Sequence, residues 1–200
     1  MRTPKALNLV LAAGYALGGF ALWSGLSAPM AAFLLPTALA ITNALLRGLC
    51  MKHPVGESSP ATVLPIYDAI MLRFTLFMMA VHAAVLFALL GAFSAREWAA
   101  RIVPMMLGAT MISVGNLLPR TRPNLAIGIR TRRTLADRAA WIRTHRLAGY
   151  VSVASGVVIA LSAITIPKPV GTGMVLVVGP CALVGTWLLL VMSRGRRAHA

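Results

Sequence analysis

Six apolar stretches, each close to the roughly 20 residues that carry an α-helix across a bilayer, dominate this chain. They fall at roughly residues 6–26, 28–46, 74–95, 102–119, 147–167 and 171–192. In lipid the backbone must satisfy its own hydrogen bonds, so apolar runs of this length span only as helices. The chain is therefore read as all-α, a polytopic transmembrane helix bundle with six spans. Composition agrees: 58% of residues are hydrophobic and 12% charged, against about a quarter charged in soluble domains. The first stretch follows Arg2 and Lys5 as a secretory leader would. It is longer than the roughly 7–15 apolar residues of a leader and no small-residue cleavage site follows, so it is read as a span.

The charge balance sets the orientation. Nineteen Lys and Arg face only four Asp and Glu. In a soluble protein this excess would suggest nucleic acid, but here the cations lie between spans, where they report topology. With the N-terminus in the cytoplasm, all cations but Arg96, Arg101 and Lys168 fall on the cytoplasmic side. Both termini are expected there, and an odd number of spans would break that bias. The sizeable segments outside the membrane are then both cytoplasmic, residues 47–73 and 119–146. The chain divides at the third span into a three-span half, 1–95, and a second, 96–200, with no internal repeat to suggest an inverted-repeat transporter. Cys50 and Cys181 stand far apart without a second ligand nearby, so no disulfide or zinc site is expected.

Residues 115–149, GNLLPRTRPNLAIGIRTRRTLADRAAWIRTHRLAG, differ from the rest. Eight arginines lie between Arg120 and Arg146, interleaved with residues that shape the backbone. Pro123 pushes Arg122 toward an extended course, Asn124 suits a turn, and Gly128 permits positive φ or close approach. Thr134-Leu-Ala-Asp137 has capping-box form, which predicts a short helix starting near Thr134 and running into the fifth span. On that helix Thr134, Arg138, Trp141 and His145 share one face, with Arg143 and Arg146 turned toward lipid phosphates. Asn116, at the end of the fourth span, is within reach of the same region. Fixed cations, amides, hydroxyls and one imidazole suit an anionic or carbonyl-rich partner. The segment lacks the carboxylates needed for hydrolytic acid–base pairs or oxygen-ligated metals. No catalytic residue, metal ligand or cofactor is assigned. Charge alone would also fit a loop that enforces topology and binds acidic lipids.

The order of residues goes further. Gly115-Asn116, Arg122-Pro123-Asn124, Gly128-Ile129-Arg130-Thr131, Thr134-Leu135, Trp141 and Thr144-His145-Arg146, closing at Gly149, resemble the SdpI family of bacterial membrane proteins. The resemblance covers about 35 residues directly, and the two spans that follow fit by position. After Arg-Thr the family usually has Pro-Trp, where this chain has Arg132-Arg133, which removes an aromatic anchor and a rigid turn. The resemblance implies a multi-pass protein of the bacterial cytoplasmic (inner) membrane. Its best-understood type gives immunity to an exported peptide toxin and serves in signal transduction, holding a cytoplasmic repressor at the membrane. The partners so implied are a peptide toxin, a repressor protein and anionic lipid head groups, with no direct nucleic-acid contact. The alternatives are a carrier or enzyme for an anionic lipid, with Arg122, Arg130 and Arg138 on phosphate and His145 transferring a proton, or a loop that only stabilises the fold.

Elsewhere the expectations are structural. His82 and Asn43 lie inside spans and are read first as helix–helix hydrogen-bonding residues. Arg73 and Asp68 are expected to pair. His53 and Glu57 are spaced i, i+4, but Pro54 and Gly56 argue against a helix there. Gly14 and Gly18 form a GxxxG for close packing, within the chain or in a homo-oligomer. Met105, Met106 and Met111 are expected to pack rather than bind copper, and Gly171 to Gly173 to form a plain turn.

Overall fold

The computed structural model describes residues 5–91 and 95–165, with the backbone alone for 95–100. The elements run α1 (Lys5–Trp23), α2 (Pro29–Lys52), α3 (Pro60–Leu89), α4 (Ala95–Gly115), a 3₁₀ turn (Leu118–Arg120), α5 (Arg132–Ala136) and α6 (Arg138–Thr165). Among the described residues five helices are long and apolar enough to cross a membrane. The chain is a multi-pass, all-helical protein. The expected sixth span, 171–192, the turn at Gly171 to Gly173 and Lys168 lie outside the described residues.

The third span departs from its expected bounds. The sequence places it at 74–95, after a segment 47–73 expected in the cytoplasm. Instead α2 runs on to Lys52 and α3 starts at Pro60, so the intervening loop is only residues 53–59. Pro60 stands in the first turn, where its missing N–H has no helical acceptor to serve. Two of the charges that make this region look like a loop pair with each other. Arg47 on α2 pairs with Asp68 on α3, both side chains largely shielded. Asp68 therefore does not pair with Arg73, which turns back one turn to donate to the Ala69 carbonyl at 2.7 Å. One turn from Arg47, Asn43 accepts from the Tyr67 hydroxyl through its side-chain oxygen (2.9 Å) and its carbonyl (3.1 Å), joining α2 to α3. His53 and Glu57 flank a turn closed by a Val55–Ser58 bridge rather than a helix.

α1, α2 and α3 pack on one another through small residues. A methyl group at Gly14 would collide with the Met79 sulfur, and one at Gly18 with the Ala32 carbonyl oxygen. The GxxxG thus serves contacts within the chain. Ala32 is also the residue whose carbonyl Pro36 leaves without its i+4 amide. The His82 ring sits beside that carbonyl, deeply buried, with Nε2 unpartnered.

Among the described elements α4 and α6 make the most extensive contact. A methyl at Gly108 would lie 2.5 Å from the Gly156 oxygen, and one at Gly156 2.6 Å from the Gly108 oxygen. Gly115 and Gly149 meet in the same reciprocal way, at 3.0 and 2.7 Å. Both glycine pairs are seven residues apart on their own helices, so two antiparallel helices stay in register over two turns. Midway between them the Ser152 hydroxyl donates to the Met111 carbonyl at 2.9 Å. α3 joins this pair to the first three helices through its contact with α4.

Candidate functional site

The segment between α4 and α6 folds back onto the bundle. After α4 the chain makes the 3₁₀ turn Leu118–Arg120, whose Pro119 ring faces the Gly149 position. Thr121 then takes an extended conformation and is buried. Its carbonyl and hydroxyl oxygens both accept from the Trp141 indole N–H, each at 3.1 Å. Asn124 makes the next turn with its own side chain. Its amide oxygen accepts from the N–H groups of Ala126 (2.9 Å) and Ile127 (2.7 Å), and its amide nitrogen donates to the Arg122 carbonyl at 2.7 Å. Pro123, buried, fixes the approach to that turn. The turn places Ala126 and Ile127 against Cys50, Val63, Tyr67 and Met71, so the loop closes over the ends of α2 and α3.

Beyond the turn the main chain of one residue, Ile129, is gripped on both sides. The Ile129 N–H donates to His145 Nε2 at 3.0 Å. The Ile129 carbonyl accepts from the Thr134 hydroxyl at 2.8 Å. With Nε2 accepting, the His145 proton lies on Nδ1 and is given to the Trp141 carbonyl at 2.9 Å, an assignment made from the partners. Trp141 and His145, both at 0% exposure, stack with centroids 4.0 Å apart and planes 16° from parallel. Gly128 is what lets the loop reach them. Its φ is +107°, and a methyl there would run into His145 Nε2.

The helix expected to start near Thr134 begins at Arg132. Thr131 is the N-cap, and its hydroxyl accepts from the Thr134 N–H while the Thr134 hydroxyl accepts from the Thr131 N–H. A threonine thus completes a box that more often uses Glu. α5 ends at once, because Asp137 is extended and caps the next helix, accepting from the Ala139 N–H at 2.8 Å. Thr134 and His145 therefore meet through Ile129 rather than along one helix. Arg138 does not join them. It faces outward to Glu57 of the 53–59 loop at 3.6 Å, both side chains exposed. Thr144 is buried on α6, and Asn116 is exposed at the end of α4.

The arginines separate cleanly from this neutral interior. All eight between Arg120 and Arg146 are exposed. Arg130 reaches the Leu125 carbonyl, and Arg143 lies 3.8 Å from Asp137. Arg146 shares the outer face of α6 with Tyr150. By sequence the cations and the imidazole form one binding set. The structure divides them into buried residues that build the loop and charged ones that the loop displays. It also adds residues not singled out before: Thr121, whose two oxygens hold Trp141, and Gly108 and Gly156, whose spacing repeats that of Gly115 and Gly149.

Residues 120–192 match the family model of the SdpI/YfhL protein family. This part of the chain is of the SdpI type. The match covers a little over a third of the 200 residues and begins at the 3₁₀ turn, so it takes in the gripped loop and all of α6. Gly115 and Asn116 lie just before it. No curated protein and no solved structure matches the chain.

Proposed function

We propose that this SdpI-type membrane protein is an immunity and signal receptor of the bacterial cytoplasmic membrane. Its bundle protects against an exported peptide toxin, and its loop engages a cytoplasmic regulator through the exposed arginines. One observation carries the reading: the Asn124 turn, the α5 cap and the aromatic stack are built from neutral groups, while Arg132 and Arg133 stand exposed on α5 and take no part in them, which leaves these two cations for an outside partner. Charge-assisted bonds to an acidic protein surface suit such a display. Both His145 nitrogens are occupied by main chain, so the histidine supports the loop and has no free nitrogen for proton transfer.

The test is deletion and complementation in the cells that carry the chain, challenged with peptides exported by competing cells. Deletion is expected to lower survival and the intact protein to restore it. The regulator is expected at the membrane with the intact protein, and in the cytosol with Arg132→Glu/Arg133→Glu at equal membrane level. Unchanged survival on deletion would remove the immunity reading. Unchanged regulator location with the charge-reversed protein would remove the arginine face as its dock.

A further inference from the structure

Of the contacts that fold the loop, the one on the Ile129 N–H depends on the protonation state of its partner. The Asn124 turn, the Trp141–Thr121 contact and the Thr131–Thr134 box use an amide, an indole and hydroxyls, which do not titrate at any pH a cell meets. His145 Nε2 accepts from the Ile129 N–H at 3.0 Å only while that nitrogen keeps its lone pair. Protonation turns it into an N–H aimed at another N–H, so the contact and the imidazolium exclude each other. Nδ1 does not take the proton instead, because it already bears one and gives it to the Trp141 carbonyl at 2.9 Å.

The surroundings do not compensate an imidazolium. The ring is fully buried and stacked on Trp141. On α6 the neighbouring charged groups are Arg143 and Arg146, on α5 Arg132 and Arg133, and on the loop Arg122 and Arg130; like Arg120 and Arg138, they are cations and exposed. Residues 105–115 of α4, which packs along α6, hold no titratable side chain. The carboxylates described at this end, Glu57 and Asp137, lie at the surface beside Arg138 (3.6 Å) and Arg143 (3.8 Å). A buried cation without a carboxylate is unstable, so a protonated ring must meet water. The way out is short: Gly128, exposed and without a side chain, covers Nε2 so closely that a methyl there would collide with it.

We propose that His145 is an acid-sensitive latch: neutral, it holds Ile129 and closes the loop, and protonated, it releases the Gly128–Thr131 stretch that joins the Asn124 turn to α5. The closed loop holds the neutral ring, whereas an imidazole in the open loop takes up a proton below about pH 6.5. The latch is therefore at full strength above that pH and weakens by about tenfold for each pH unit below it. It does not depend on the receptor reading, since it sets when the loop opens and not what its arginines meet.

The experiment is amide hydrogen exchange of the full chain in lipid nanodiscs at two pH values, one unit above and one and a half units below about pH 6.5, with each rate corrected for the intrinsic pH dependence of exchange. Protection at Ile129 is expected to fall roughly thirtyfold at the lower pH, while Ala126 and Ile127, held by Asn124, keep theirs. His145→Gln, whose amide oxygen replaces Nε2 as a non-titrating acceptor, is expected to hold Ile129 equally at both. His53→Gln, at the exposed histidine of the 53–59 loop, is expected to respond as the wild type does. The wild-type comparison of Ile129 with Ala126 and Ile127 stands even where His145→Gln does not fold. ¹⁵N NMR of the wild-type ring at the higher pH is expected to show Nε2 unprotonated. Unchanged Ile129 protection at the lower pH, or an equal loss at Ala126 and Ile127, would overturn the latch. So would an equal loss in folded His145→Gln, or a proton on Nε2 at the higher pH.

Discussion

Gly128 and Trp141 carry the loop at the scale of single residues. Gly128→Ala places a methyl against His145 Nε2 at a φ that side chains rarely adopt. It is expected to destabilise the protein by about 1–3 kcal/mol from backbone strain alone, seen as a lower midpoint of thermal unfolding in detergent. Trp141→Phe keeps most of the ring and removes the indole N–H. It leaves the Thr121 oxygens without that donor, at a cost of about 1–3 kcal/mol. Thr121→Val in the Trp141→Phe background is expected to cost less than in the wild type, and strictly additive losses would show that the two residues do not act together. Much of this was readable in the sequence. Pro123, Asn124 and Gly128 bend the chain as their chemistry requires, and Thr131 and Thr134 lie at capping distance. What His145 and Thr134 hold was not readable, because it is the main chain of Ile129, whose N–H donates to the one and whose carbonyl accepts from the other, and main chain has no signature in a sequence.

At the scale of elements, hydropathy located the helices because apolar length is a local property. It misplaced the start of α3, because the Arg47–Asp68 pairing that lets charged residues sit inside α2 and α3 spans 21 positions. Removing one partner strands the other partly buried charge. Asp68→Asn or Arg47→Gln is each expected to destabilise by a few kcal/mol, somewhat under the roughly 3–5 kcal/mol of full burial. The exchange Arg47→Asp/Asp68→Arg should recover part of the loss, and a double variant no better than the sum of the two singles would argue against the pair. The seven-residue glycine spacing on α4 and α6 was present in the sequence but acquires meaning only once the helices are known to face each other. Gly156→Val is expected to push α6 off α4 at Gly108 and lower the unfolding midpoint. Gly19→Val, at a position with open space around it, should change little. Equal effects would mean that the glycine contacts do not set the helix separation.

The molecule as a whole is a helix bundle whose loop between α4 and α6 has become part of the fold. The loop seals the ends of α2 and α3 with Ala126 and Ile127, grips α6 through Trp141 and His145, and carries its arginines outward. The 53–59 loop lies at the same end of the bundle, through the Glu57–Arg138 contact. From the positive-inside bias we propose that this end faces the cytoplasm. Single cysteines at Glu57 and Arg133, with Cys50 and Cys181 replaced, are therefore expected to react with an impermeant thiol reagent only after the cell is opened. Labelling of either in intact cells would reverse the topology.

The central claim is that residues 121–134 are a folded cap and not a free basic tail. Amide hydrogen exchange of the intact protein in lipid nanodiscs tests it most directly. Slow exchange is predicted at Ala126, Ile127 and Ile129, whose N–H groups are held by Asn124 and His145, and at Thr131 and Thr134. Protection at Ile129 should fall sharply in Gly128→Ala. Rapid exchange throughout 121–134 in the wild-type protein would contradict the account.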